Sequence, residues 1–109
     1  MHTVLQDLDV DILPGRSTAL VGRSGSGKST LLNVLSGIDE CDAGTIEFRD
    51  TCLVSLDDRR RTLLRRRHMG FVFQFFNLLP TLSVLDNVVL PQSLNGVGRP
   101  AARRRAREL

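Results

Sequence analysis

The feature that most constrains this 109-residue chain is a stretch of small residues placed between two apolar runs. Residues 22–29 read GRSGSGKS, with TALV before them and TLLNVLSG after them. They fit G-x-x-x-x-G-K-[ST] at every fixed position, a pattern in which backbone amides surround a polyphosphate. A glycine–serine linker is the alternative, but a linker needs neither this spacing nor the apolar flanks. The stretch therefore predicts a phosphate-binding loop, called the phosphate loop below.

Each residue type in the phosphate loop has a physical task. Gly22, Gly25 and Gly27 let the chain wrap closely around an anion, because glycine carries no side chain and adopts positive φ. A helix beginning at Lys28 directs its partially positive N-terminus at the same anion, and the lysine ammonium reaches the outer phosphates. The hydroxyl of Ser29 is a suitable ligand for Mg²⁺.

Hydrophobic patterning predicts an α/β layer architecture in which strands alternate with helices. Strands are predicted over residues 8–12, 18–21, 45–48 and 69–73, the last one buried and ending at Gln74. Helices are predicted over residues 28–36, across residues 59–67, from Ser83 towards Leu90, and from Pro100 through the last residue. Ser83 and Asp86 form a capping box, and Pro91 is expected to bend or end its helix.

Composition favours one globular domain with an ordinary share of hydrophobic residues, 41%. No stretch approaches the roughly 20 apolar residues of a membrane span, and the N-terminus resembles neither a signal nor a transit peptide. Cys41 and Cys52 are expected to be reduced thiols.

Arginines are concentrated in two blocks, at residues 59–67 and 99–107. A nucleic-acid patch and a solvated helix face are both compatible with such blocks. No aromatic residues are interleaved with the arginines and no nucleic-acid motif is present, so we expect solvated faces and no nucleic-acid partner.

Two longer segments, GRSGSGKSTLLNVLSGIDECDAGTI and MGFVFQFFNLLPTLSVLDNVVLP, resemble the first half of the nucleotide-binding domain of ATP-binding-cassette (ABC) transporters. Within them, the segment FVFQFFNLLPTLSVLDNV is most similar to ATPases of the lipoprotein-releasing and macrolide-export type. The resemblance runs from about residue 5 to residue 109. It implies a P-loop NTPase fold of the α/β class, as a partial ABC domain. Residues up to about 80 resemble its core, and residues from about 81 resemble the start of its helical subdomain.

The resemblance implies a site for ATP and Mg²⁺. The implied nucleotide-binding residues are Gly22, Ser24, Gly25, Ser26, Gly27, Lys28, Ser29, Thr30 and Gln74, with Ser29 and Gln74 as the metal ligands. Gln74 is also predicted to end a parallel strand beside the phosphate loop, where open α/β sheets bind ligands. A solvated strand end is the alternative for this glutamine.

The resemblance also implies partners. The docking segment, residues 75–82 from Phe75 to Leu82, is expected to contact a transmembrane permease. Its exposed side chains form an apolar patch that a monomer in water has to hide, and burial in the core is an equally good alternative. A second nucleotide-binding domain and a cytoplasmic position at the inner face of the cell membrane are also implied.

Several family motifs are not found between residues 1 and 109: the Walker B strand with its glutamate, the LSGGQ-type signature, the switch histidine and the A-loop aromatic residue. Lys28 and Gln74 would contribute to a catalytic set that is incomplete, so we expect nucleotide binding with hydrolysis near background. The chain resembles a fragment, and we expect poor solubility when it is expressed alone. A non-catalytic nucleotide-binding remnant without a transport role is the alternative function, and an unrelated P-loop protein such as a small kinase is a weaker one.

Overall fold

The computed structural model describes residues 3–109, which divide into two compact units. The first unit ends at Leu56 and the second begins at Asp57. The first contains helix α1 (Lys28–Leu35) and an antiparallel hairpin of strands β1 (Glu47–Phe48) and β2 (Thr51–Cys52). The second contains helices α2 (Asp58–His68), α3 (Val84–Leu94) and α4 (Arg99–Ala106).

Helix α1 begins and ends where the glycines predict. Gly27 precedes its first residue with φ of 91°, and Gly37 follows its end with φ of 68°. The Gly37 amide donates to the Val34 carbonyl at 3.0 Å, and the Ile38 amide donates to the Asn33 carbonyl at 2.9 Å. These two bonds form a Schellman motif, which satisfies carbonyls that the helix leaves free. The predicted helix is confirmed and is one residue shorter than expected.

The hairpin pairs Glu47 with Cys52 and Phe48 with Thr51. The strand predicted over residues 45–48 is confirmed for its last two residues, and β2 was not predicted. Immediately after β2, the Leu53 amide donates to the Ile46 carbonyl at 2.8 Å, and only 2% of Leu53 is exposed. The residue that directly follows the hairpin is therefore buried.

Three predicted strands are wrong. Residues 8–12, 18–21 and 69–73 form no strand in the structure, and most of their large apolar side chains are exposed, up to 86% for Val21 and 102% for Val72. A strand exists only when a neighbour supplies the hydrogen bonds of its ladder. Within residues 3–109, only β1 and β2 pair in this way. An apolar run has strand character in the sequence, but its pairing depends on tertiary structure.

Helices α2 and α3 both begin at side-chain caps, of which the sequence predicted only Ser83. The Asp57 carboxylate accepts the Arg60 amide at 2.7 Å, and the Ser83 hydroxyl accepts the Asp86 amide at 3.1 Å. Side-chain acceptors at these positions satisfy amides that have no partner within the helix. The predicted cap at Ser83 is therefore confirmed, and the cap at Asp57 is a further finding of the structure.

Helix α3 does not end at Pro91, one of the two outcomes that the sequence predicted, but continues to Leu94. Proline removes the amide that would donate to the carbonyl four residues earlier, which costs a helix interior about 3 kcal/mol. Packing of α4 against α3 offsets this loss, since Val89 is 3% exposed and Ala102 is fully buried. Helix α4 ends at Ala106 and does not reach the last residue, a second correction.

One carboxylate links α3 to α4. Asp86 accepts hydrogen bonds from the Ser83 hydroxyl at 2.8 Å and from the Arg103 guanidinium at 3.0 Å, and Arg99 lies 3.8 Å away. The Ser83 hydrogen bond, followed by that of Arg103, lowers the pKa of Asp86 below its ordinary value of 3.8. Both interactions favour the ionised carboxylate, so the contact between α3 and α4 depends on the charge of Asp86.

This link predicts a pH dependence. Folding lowers the pKa of Asp86, so the ionised carboxylate stabilises the folded state. This contribution is fully present at pH values above the ordinary pKa of 3.8, and it is lost as the pH falls through the lowered pKa. We expect Asp86→Asn to lower the thermal midpoint of the helical circular dichroism signal at neutral pH, and this difference to shrink towards acid. Asp42→Asn, an exposed change in the first unit, is the control. A difference that stays constant down to acid pH contradicts this prediction.

Candidate functional site

The phosphate loop turns tightly just before helix α1. The Ser26 amide donates to the Arg23 carbonyl at 3.2 Å, and Gly25 has φ of 78°. Gly27 then has φ of 91° immediately before Lys28, the first residue of α1. No side chain caps this end of α1. The amides of the first helical turn have no acceptor within the helix and are free to bind an anion.

Gly27 is restricted by its φ and by the space around it, whereas Gly22, whose φ is not positive, is restricted by space alone. A Cβ at Gly22 would lie 2.7 Å from the Ser26 hydroxyl oxygen, and one at Gly27 would lie 3.0 Å from Val4 Cγ1. The first distance is shorter than any real contact, and the second forces the valine to move while φ is also unfavourable. A side chain at Gly27 would therefore strain the loop, whereas one at Gly22 would displace the Ser26 hydroxyl.

Lys28 folds back over the loop that precedes it. Its ammonium donates to the carbonyls of Gly22 at 2.8 Å and Arg23 at 2.7 Å, and to the Ser26 hydroxyl at 3.4 Å. The carbonyl dipoles hold the ammonium in place without neutralising its charge. No carboxylate forms an ion pair with Lys28 in the part of the chain that the structure describes. A positive charge is thus held beside the free amides of α1.

The remaining predicted residues of the loop differ in exposure. Ser24, Ser26 and Ser29 are exposed, whereas Thr30 is half-buried in the first turn of α1. Ser29 follows the lysine directly and is exposed, and the role of its hydroxyl as a metal ligand stays a prediction. An oxygen ligand of this kind suits Mg²⁺, which keeps several waters and shares phosphate oxygens with the protein.

Gln74 belongs to the second unit and lies in a turn. It is exposed, and the residues before it form no strand, so its predicted position at the end of a buried strand is wrong. The preceding aromatic rings of Phe71 and Phe73 stack with centroids 5.8 Å apart. The role of Gln74 beside the phosphate loop stays a prediction.

The docking segment presents its large apolar side chains to solvent. Phe75 is 81% exposed, Phe76 is 79% exposed and Leu78 is 67% exposed. Of the two alternatives, burial in the core is therefore wrong for these three residues. The backbone here is also unusual, with φ of 60° at Phe76 and 49° at Asn77. Non-glycine residues seldom adopt such values, and neighbouring contacts must hold them there.

Asn87, which the sequence reasoning missed, anchors the C-terminal end of the docking segment to α3. Its Oδ1 accepts the Leu79 amide at 2.8 Å, and its Nδ2 donates to the carbonyls of Leu79 at 3.1 Å, Ser83 at 3.0 Å and Leu82 at 3.3 Å. The only sequence signal is an amide side chain four residues after the cap Ser83, since residues i and i+4 lie on one helix face.

Comparison with known proteins agrees with this site. The ABC transporter family matches residues 5–109, so the chain belongs to the ABC transporter family. A glycine-rich loop that leads into a helix at a lysine, within a chain of this family, defines a P-loop nucleotide-binding module.

Among curated relatives, an ABC transporter ATP-binding protein of Mycobacterium tuberculosis (strain H37Rv) is 49% identical over 97% of this chain and 43% of its own length. The lipoprotein-releasing system ATP-binding protein LolD of Maricaulis maris is 47% identical over 97% of this chain and 46% of its own length. The chain thus spans less than half the length of these relatives.

A solved structure confirms the fold class. The ATP-binding cassette MJ0796, in a dimeric post-hydrolysis state bound to ADP and Pi, is 42% identical, with a TM-score of 0.72. The match covers 79% of this chain and 38% of that one. The predicted P-loop NTPase fold of the ABC type is therefore confirmed, although three of its predicted strands are not formed here.

The Asn87 contacts lead to a prediction for the docking segment. We expect Asn87→Ala to speed hydrogen exchange of the Leu79 amide by about fivefold to tenfold, since one net hydrogen bond contributes about 1 kcal/mol. Asn87→Asp keeps an acceptor for that amide and should retain most of its protection. Asn95→Ala, which removes a side-chain bond to the Arg66 carbonyl elsewhere in the unit, is the control. Equal exchange rates in Asn87→Ala and wild type contradict the anchoring role.

Proposed function

We propose that this chain binds ATP with Mg²⁺ through the phosphate loop, as the nucleotide-binding part of an ABC transporter ATP-binding subunit. The observation that carries the proposal is the geometry of Lys28, whose ammonium is held by two loop carbonyls at the start of α1. Free amides, a helix N-terminus and an unneutralised ammonium converge there, and a triphosphate is an anion that uses all three. Sequence identity of 42–49% with ATP-binding proteins supports the same conclusion.

The metal site is part of the proposal. Its proposed ligands are the Ser29 hydroxyl and the Gln74 carboxamide oxygen. Mg²⁺ bridges phosphate oxygens and neutralises charge on them, while a neutral amide ligand can also hold a nearby water. The exposure of both side chains leaves their oxygens accessible to the ion.

The same proposal includes two protein partners. The docking segment meets a transmembrane permease, because its exposed phenylalanines and leucines need a partner to exclude water from them. A second nucleotide-binding domain completes the pair, as in the dimeric structure of MJ0796. Within residues 3–109 no helix has the length and apolarity to cross a bilayer. Association with the permease would place the chain at the inner face of the membrane.

The transport role is proposed to be export or lipoprotein release. Its support is the similarity to LolD, a component of lipoprotein-releasing systems, across 97% of this chain.

The nucleotide proposal is tested by Lys28→Ala. Charge-assisted hydrogen bonds contribute about 1.5–3 kcal/mol, so we expect the affinity for Mg-ATP to fall by about 10-fold to 100-fold. Titration calorimetry measures it. Arg23→Ala removes a positive charge at a variable position of the same loop and should change affinity little. An unchanged affinity in Lys28→Ala overturns the proposal.

The metal role of Gln74 has a separate test. We expect Mg²⁺ to raise the affinity of the wild-type chain for ATP, and Gln74→Ala to reduce this gain while leaving the affinity in chelator unchanged. Gln6→Ala is the matched control, because it removes the same side chain from an exposed position in the first unit. A full Mg²⁺ effect in Gln74→Ala means that the glutamine is not a ligand.

A further inference from the structure

The charges of the chain are divided unevenly between its two units. Residues 57–109 contain eleven arginines and four acidic residues, whereas residues 1–56 contain four basic and eight acidic ones. The second unit is therefore strongly basic although the chain as a whole carries only +3. A basic surface concentrated in one unit attracts polyanions from solution.

Helix α2 gathers four of these arginines on one face. They form two pairs, Arg59 with Arg66 and Arg60 with Arg67. The members of each pair are two helical turns apart, and an α-helix of 3.6 residues per turn places them on the same side. The burial of α2 agrees, because these four residues and Leu63 between them are exposed, while residues 61, 62, 64 and 65 are half-buried. We call this exposed set the α2 basic face.

Interactions inside the unit leave most of this charge uncompensated. Arg60 lies 3.7 Å from Asp57, but both side chains are well exposed, at 74% and 64%, so the pair contributes little. Arg66 uses one nitrogen on the Leu94 carbonyl at 3.1 Å, which keeps its charge. Among residues 3–109, no carboxylate forms an ion pair with Arg59 or Arg67.

The helix dipole explains only half of the face. Arg66 and Arg67 lie in the last turn, where positive charge is favoured, but Arg59 and Arg60 lie in the first turn, where it is disfavoured. Asp57 and Asp58, which precede the first pair, offset part of this cost, but the dipole itself gives the pair no support. An anion outside the protein can interact with all four guanidinium groups at once.

We propose that the α2 basic face binds the anionic headgroups of a phospholipid membrane surface. The inference rests on the proposed function, since a permease partner is what brings the chain to a membrane. Guanidinium groups bind phosphate oxygens in bidentate geometry, and several basic residues on one face are attracted to anionic lipids additively. Leu63 at the centre of the face suits the partly apolar headgroup boundary better than it suits the polar backbone of a nucleic acid.

Cosedimentation of the full chain with vesicles tests the proposal. The vesicles contain either phosphatidylcholine alone or phosphatidylcholine with phosphatidylserine, and we expect binding only to the second kind, weakening as salt is raised. The assay contains no nucleotide and no permease, so its result is independent of the ATP-binding test with Lys28→Ala. A failure here and a failure of the proposed function are therefore distinguishable.

Matched variants assign the binding to this face. Each arginine near an anionic surface contributes about fivefold, so Arg59→Gln/Arg60→Gln/Arg67→Gln should weaken vesicle binding about 100-fold. The control Arg104→Gln/Arg105→Gln/Arg107→Gln makes the same change in net charge on exposed positions of the C-terminal segment and should weaken binding less than fivefold. Arg59→Lys/Arg60→Lys/Arg67→Lys keeps the charge and should retain most of the binding, which separates loss of charge from loss of folding.

Three results would overturn the inference. The first is equal binding to neutral and anionic vesicles. The second is an equal loss in the α2 variant and its control, which indicates a general effect of net charge. The third is tighter binding to random-sequence duplex DNA than to anionic vesicles at the same salt, which assigns the α2 basic face to nucleic acid.

Discussion

The phosphate loop depends on a lysine ammonium that is fixed in position without forming an ion pair among residues 3–109. In the phosphate loop this is done by the carbonyls of Gly22 and Arg23, which accept the Lys28 ammonium at 2.8 and 2.7 Å. A carboxylate in their place would hold the lysine equally well but would cancel the charge that phosphate needs. The carbonyls can reach the ammonium only because the backbone turns back on itself at Gly25 and Gly27. The glycines, the lysine and the N-terminus of α1 therefore act as one unit.

The second unit is organised around the first turn of α3. Ser83 caps the helix and donates to Asp86, and Asp86 accepts Arg103 of α4. Asn87 binds two carbonyls and one amide of the docking segment. Consecutive residues of one turn thus point to different neighbours, one towards α4 and the next towards the docking segment. This arrangement fixes the C-terminal end of an exposed apolar segment without burying it, which is what a surface for a partner requires.

Local features were predicted well from the sequence, because each depends on residues close together along the chain. The cap at Ser83, the stop at Gly37 and the turn of the phosphate loop all form as expected. Features that depend on distant partners were predicted poorly. The apolar residues 69–73 read as a buried strand but are unpaired and mostly exposed, and Pro91 lies inside α3 because α4 packs against that helix.

The sequence by itself determined the phosphate loop, since its glycines and lysine act within eight consecutive residues and need only the following helix to complete them. It also determined membership of the ABC family and the helix starts. Tertiary structure alone decided that Asn87 anchors the docking segment, that Asp86 binds α4, and that four arginines of α2 face solvent together. The physical reason is that capping and backbone turns are local interactions, whereas strand pairing, burial and exposure depend on which segments lie beside one another in space.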